Sequence, residues 1–87
     1  MVTIINTQEV KDFSEWKKGF DAGATNRSNA GVNVISVNCE PGNGNKITII
    51  SEMGSRVAAE GFINAMKQVM EAMGAISVDV QILDKVL

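Results

Sequence analysis

The chain has no histidine and no tyrosine, and one each of cysteine, proline and tryptophan. Without histidine it lacks the side chain that most often serves as a general acid or base, and the commonest metal ligand. With Cys39 alone, no disulfide can form within the chain and paired-cysteine metal sites are excluded. No metal and no cofactor are expected. The basic residues Lys11, Lys17, Lys18, Arg27, Lys46, Arg56, Lys67 and Lys85 are scattered, and the net charge is −2. That pattern is no footprint for nucleic acid or for an anionic membrane. No apolar run approaches membrane-spanning length, and no basic segment leads into an apolar one at the start. The expected location is cytoplasmic, in keeping with one unpaired cysteine.

What is present is a hydrophobic fraction of 45%, enough for a core and too high for disorder. At 87 residues the expectation is one domain, 1–87. A chain this short buries only roughly 60% of the surface its unfolded form exposes. With disulfides and metal set aside, oligomerisation is the remaining support.

Residues 2–8 are rich in β-branched types and read as a strand. Asp12 precedes a helix, with Glu15 at the capping-box spacing. Phe13, Trp16 and Phe20 fall at i, i+3 and i+7, so the main aromatic mass faces one way. The helix is expected to end between Ala24 and Ser28, weakened by Gly19 and Gly23 at about 1 kcal/mol each. Gly31 suits a positive-φ stop. Residues 32–39 read as a second strand and 46–52 as a third. Between them Pro41 to Asn45 is a dense turn signal, with Asn43-Gly44 favouring a tight hairpin. Ser55 caps a second helix with Val57, Phe62, Met66, Val69, Met70 and Met73 on its apolar face, and Gly74 closes it. Residues 76–83 alternate as a last strand.

The order βαββαβ is that of a ferredoxin-like α+β fold, with both helices on one face of a four-stranded, mainly antiparallel sheet. Such a sheet should alternate apolar and polar residues. Three strands do not. Ile5 opposes Val2 and Ile4; Ile35, Val37 and Cys39 oppose Val32 and Val34; Ile50 opposes Ile47 and Ile49. The face away from the helices therefore needs a cover, and the simplest is the same face of a second copy, giving a homodimer through the sheet. In the last strand Asp79 and Gln81 oppose Val78, Val80 and Ile82, which suits an edge or a seam.

The stretch Val10-Lys11-Asp12-Phe13-Ser14-Glu15-Trp16-Lys17-Lys18-Gly19-Phe20-Asp21 carries a family likeness, together with Gly31-Val32, the hairpin, Ser55 before an amphipathic helix and the closing Leu83-Asp84-Lys85-Val86. Over nearly its whole length the chain resembles the dimeric α+β barrel proteins, especially small members like the antibiotic biosynthesis monooxygenase family. Relatives with this pattern often carry a histidine at the end of the first strand, where this chain has Gln8. In that family, members that oxidise aromatic polyketides without a cofactor use polar pocket residues, and haem-degrading members use a histidine ligand. This chain cannot ligate haem through histidine.

Each candidate site residue has a functional and a plain reading. Trp16 with Phe13 and Phe20 lines a pocket between helix and sheet, or simply packs the core. Met66, Met70 and Met73 form a deformable wall for an apolar ligand, or fill gaps, and Phe62 of the same helix is a further pocket candidate. Asn6, Gln8 and Asn33 orient a polar ligand group, or satisfy strand ends. Arg27 meets an anion at the pocket mouth, or lies in a solvated loop. Gly19 and Gly23 allow close approach of a neighbour, or mark helix fraying. Cys39 has no activating charge nearby in sequence and reads as a buried structural residue. RNA-recognition sheets need exposed strand aromatics, absent from the first and third strands.

Two functions follow. One is a non-catalytic module that binds a small hydrophobic molecule or mediates an interaction. The alternative is a cofactor-independent, monooxygenase-like or isomerase-like enzyme acting on such a molecule. An open pocket with Asn6, Gln8 or Arg27 turned inward favours ligand chemistry. A pocket filled by Trp16, Phe62 and the methionines favours interaction alone.

Overall fold

A computed structural model describes residues 1–87. Its elements are β1 (Val2–Val10), α1 (Phe13–Ala22), α2 (Ala24–Asn29), β2 (Asn33–Glu40), β3 (Asn43–Met53), α3 (Arg56–Ala72) and β4 (Ala75–Asp84). The four strands form one antiparallel sheet in the order β2-β3-β1-β4. This is the ferredoxin-like α+β arrangement read from the sequence. No helix is long and apolar enough to cross a membrane.

The helix starts follow local chemistry. The Asp12 carboxylate accepts from the N–H groups of Ser14 at 2.8 Å and Glu15 at 3.4 Å. Glu15 does not return the bond; its carboxylate takes Lys18 instead, at 3.1 Å. Ser55 Oγ accepts from the Ala58 N–H at 3.2 Å and opens α3. Gly74, at φ +92°, turns the chain out of that helix into β4.

Three local expectations are corrected. The first helix is two pieces that meet at Gly23. A Cβ on Gly23 would stand 3.1 Å from Arg27 Nη1, so the missing side chain is what lets the guanidinium fold back there. The hairpin turns at Pro41-Gly42, not Asn43-Gly44, because Glu40 already pairs with Asn43. Proline presets its own φ and Gly42 takes φ +79°, the combination a type II turn asks for. On α3, Val57 and Val69 point to solvent, while Ala59, Phe62, Ile63, Met66 and Met70 turn inward. The i, i+3, i+4 ladder through those residues leaves Val57 and Val69 off the buried stripe.

The second strand holds the larger surprise. Its register against β3 shifts between Val34 and Ser36, so Ile35 is an inserted residue. A bulge of this kind reverses which residues face which side. Val34 opposes Ser51 before the bulge; after it, Val37 opposes Ile49 and Cys39 opposes Ile47. All three therefore lie on the helix-covered side. The expectation that Val37 and Cys39 lie on the opposite face is thereby overturned. The uncovered face keeps a shorter apolar row, Ile35, Ile50 and Ile5, with Leu83 nearby and threonine, asparagine and glutamine around it. Cys39, at the end of the edge strand, is exposed rather than buried.

Candidate functional site

The helix-facing side of β1 reads Val2, Ile4, Asn6, Gln8, Val10. Its apolar ends belong to two separate core clusters. Val2 and Ile4 pack with Met53 and Ala59, and with Phe62 and Ile63 of α3. Val10 packs with Trp16, Ile47 and Ile49, and with Phe13 and Phe20 of α1. Asn6 and Gln8 lie between the two clusters. Polar side chains there interrupt the core, and a cavity of about 80 Å³ opens between the sheet and the helices.

Trp16 and Phe20 form one wall. Their rings stack with centroids 4.9 Å apart and planes 23° apart, and Phe13 meets Trp16 at 5.8 Å. The opposite wall is α3, with Phe62, Ile63, Met66 and Met70, and Met73 just beyond its end. Arg27 closes one side, its guanidinium carbon 3.7 Å from the centre of the Phe20 ring. Such a cation–π contact is worth about 0.5–1 kcal/mol in an exposed setting and more when dry. Burial pushes the Arg27 guanidinium below its ordinary value, and the Asp21 carboxylate draws it part of the way back.

The floor is polar. Gln8 is 3% exposed and its Nε2 donates to Asn6 Oδ1 at 3.4 Å. Asn6 Nδ2 in turn donates to the Met70 sulfur at 3.5 Å. Gln8 Oε1 is sealed from solvent and has no hydrogen-bond partner. Ser51, 6% exposed, completes the floor from β3.

Of the residues singled out from the sequence, Asn6, Gln8, Trp16, Phe20, Arg27, Phe62, Met66 and Met70 line this one cavity. Asn33 does not. It sits exposed on the edge strand, opposite Glu52, on the other side of the sheet from Val34. Ser51 was not foreseen. Its signal is the break it makes in the inward series Ile47, Ile49, Ser51, Met53, the same interruption that Asn6 and Gln8 make on β1.

A second concavity, a groove of about 410 Å³, runs between the C-terminal half of α3 and β4, with Lys67 and Glu71 on its rim. It is shallower in chemical content: no buried polar group faces it.

No protein-family model matches this sequence, and no curated protein does. Solved structures share its fold. A provisionally named antibiotic biosynthesis monooxygenase from Caulobacter crescentus CB15 superposes with a TM-score of 0.74 at 17% identity, over 99% of this chain and 90% of that one. Another protein so named, from Nitrosomonas europaea, gives 0.65 at 11% identity over the whole of both chains. A protein from Agrobacterium tumefaciens gives 0.68 at 17% identity, over 99% of this chain and 94% of its own. The fold is thus that of the antibiotic biosynthesis monooxygenase-like proteins, in keeping with the resemblance carried by the Asp12–Asp21 stretch.

Proposed function

We propose that this protein binds a small hydrophobic molecule in the cavity between sheet and helices. The observation that carries the reading is the cavity itself: aromatic and methionine walls over a polar floor, in a chain with few buried residues to spare. The cavity, about 80 Å³, is smaller than the roughly 300–1,000 Å³ of pockets that hold drug-sized ligands. A ligand therefore has to be small and has to displace part of the wall. Met66 and Met70 are suited to that, because unbranched thioether chains repack at little cost.

The protein acts in this reading as a homodimer, paired through the uncovered sheet face. The row Ile35, Ile50, Ile5 and the small number of buried residues, 11 of 87, support it. A cytoplasmic location belongs to the same reading and is supported by the unpaired Cys39.

The test is titration with benzene, toluene and cyclohexane, followed by Trp16 fluorescence and by methyl NMR of the methionines. Saturable shifts at Met66, Met70 and Met73 are expected. Shifts confined to exposed residues, or none, refute the reading.

A second reading is a cofactor-independent monooxygenase-like or isomerase-like enzyme. What favours it is the names borne by proteins of the same fold. The only titratable side chain among those lining the cavity is Arg27. A bound substrate would be oriented and shielded from water rather than deprotonated by a protein base. Oxygen uptake, or conversion of the ligand to an isomer of the same mass, measured with a ligand found by titration separates the two readings.

A further inference from the structure

We infer that the cavity selects ligands bearing a hydrogen-bond donor, an alcohol hydroxyl or an N–H, over equally apolar ligands that can only accept. The inference rests on the ligand-binding reading above and names the chemistry of its polar end.

Two amides and one sulfur set the polarity of the cavity floor. An asparagine or glutamine amide has a donor end and an acceptor end, and its orientation is set by its neighbours. Asn6 lies against the Met70 thioether at 3.5 Å. A thioether accepts weakly and donates nothing, so Asn6 must turn its Nδ2 toward it. That leaves Asn6 Oδ1 facing Gln8, so Gln8 must offer Nε2, and does so at 3.4 Å. The remaining atom is Gln8 Oε1, an acceptor with no partner. One sulfur thus fixes the sense of the whole chain of contacts and leaves a carbonyl oxygen at its end.

A buried acceptor without a donor is costly, and the cost is relieved by any donor that reaches it. Gln8 is held at 3% exposure between two apolar clusters, and no protein donor is in reach. The approach is through the cavity that Gln8 lines. Since Oε1 is sealed, a ligand must displace part of the cavity wall or turn the Gln8 side chain to touch it. Met70 is flexible, and its contact with Asn6 is a weak one. A ligand that accepts only would leave Oε1 unpartnered in a drier site. Sites built to bond a hydroxyl discriminate strongly against analogues that lack it, for this reason.

The experiment compares cyclohexanol with cyclohexanone, which have similar size and differ in the donor. Both are titrated into wild-type protein and into the Gln8→Leu variant, with methionine methyl NMR as readout. Cyclohexanol is expected to bind wild type about ten-fold more tightly than cyclohexanone, and Gln8→Leu to bring the two within about two-fold. Equal affinities in wild type, or a preference for the ketone, overturn the inference and leave the pocket reading standing. A ketone preference would mean that Nε2, not Oε1, is the free end. If neither compound perturbs the cavity methyls, both the inference and the pocket reading fall. Should Gln8→Leu not fold, the wild-type comparison alone decides.

Discussion

Trp16 is 1% exposed, sandwiched between Phe13 and Phe20 on α1 and packed on Ile47 and Ile49 of the sheet. It serves two roles that sequence alone cannot separate, because it fills the core and forms a cavity wall at once. Removing it should expose its cluster, Val10, Ile47 and Ile49, as a whole. Trp16→Ala is expected to cost about 3–5 kcal/mol, the range for large aromatic truncations. That is a large share of the roughly 5–15 kcal/mol that holds a small domain folded. Urea denaturation followed by circular dichroism checks it; a loss below about 1 kcal/mol would mean that the cluster contributes little. Arg27 illustrates the opposite case, a charge whose sequence allowed either a pocket mouth or a solvated loop. It joins the site because Gly23 leaves room for its guanidinium and Phe20 offers a ring face.

At the scale of elements, the contact between α1 and the end of α3 is set by a glycine. A Cβ on Gly19 would stand 3.1 Å from Met73 Cε and 3.3 Å from its Cγ. Those atoms belong to a flexible side chain, so Met73 can yield by a few tenths of an ångström. Alanine in place of a helix-interior glycine gains up to about 1 kcal/mol. Gly19→Ala is therefore expected to raise the melting temperature by a few degrees, about 2–5 °C. It should also weaken ligand binding, since Met73 lines the cavity and would move into it. A fall in melting temperature would show that Met73 has nowhere to go. The hairpin shows how turn chemistry chooses between two signals. Asn43-Gly44 and Pro41-Gly42 both invite a turn, and the chain turns at the latter, where Glu40 pairs with Asn43. Asn45 is then free to accept the Phe13 N–H at 3.0 Å, which ties the start of β3 to the start of α1.

For the whole molecule, the uncovered face of the sheet carries the dimer proposal. The bulge at Ile35 moves Val37 and Cys39 to the helix side, so the apolar area left is a row rather than a full face. Ile5 and Ile50 stand directly opposite one another at its centre. Analytical ultracentrifugation of wild type should give a mass near twice 9.3 kDa. Ile50→Lys should give a monomer, because the proposed pairing would bury an unpaired ammonium group from each copy. A monomeric wild type would sink the dimer. The six ion pairs do little to hold either state, being mostly exposed.

The order of strands and helices, the caps at Asp12 and Ser55, the glycine stops at Gly31 and Gly74, and the aromatic stripe of α1 were all legible in the sequence. These are local matters: each depends on residues within a few positions of one another. Asn6 and Gln8 stood out in the sequence as polar strand residues, but whether they orient a ligand group or satisfy strand ends was open at that level. What only the tertiary structure decided depends on register. A single inserted residue, Ile35, inverts the remainder of β2, and no local pattern distinguishes an insertion from ordinary alternation in a run of β-branched residues. The cavity is decided at the same level. It exists because Asn6 and Gln8 of β1 and Ser51 of β3 occupy core positions between clusters drawn from both ends of the chain, and only the folded sheet brings those positions together.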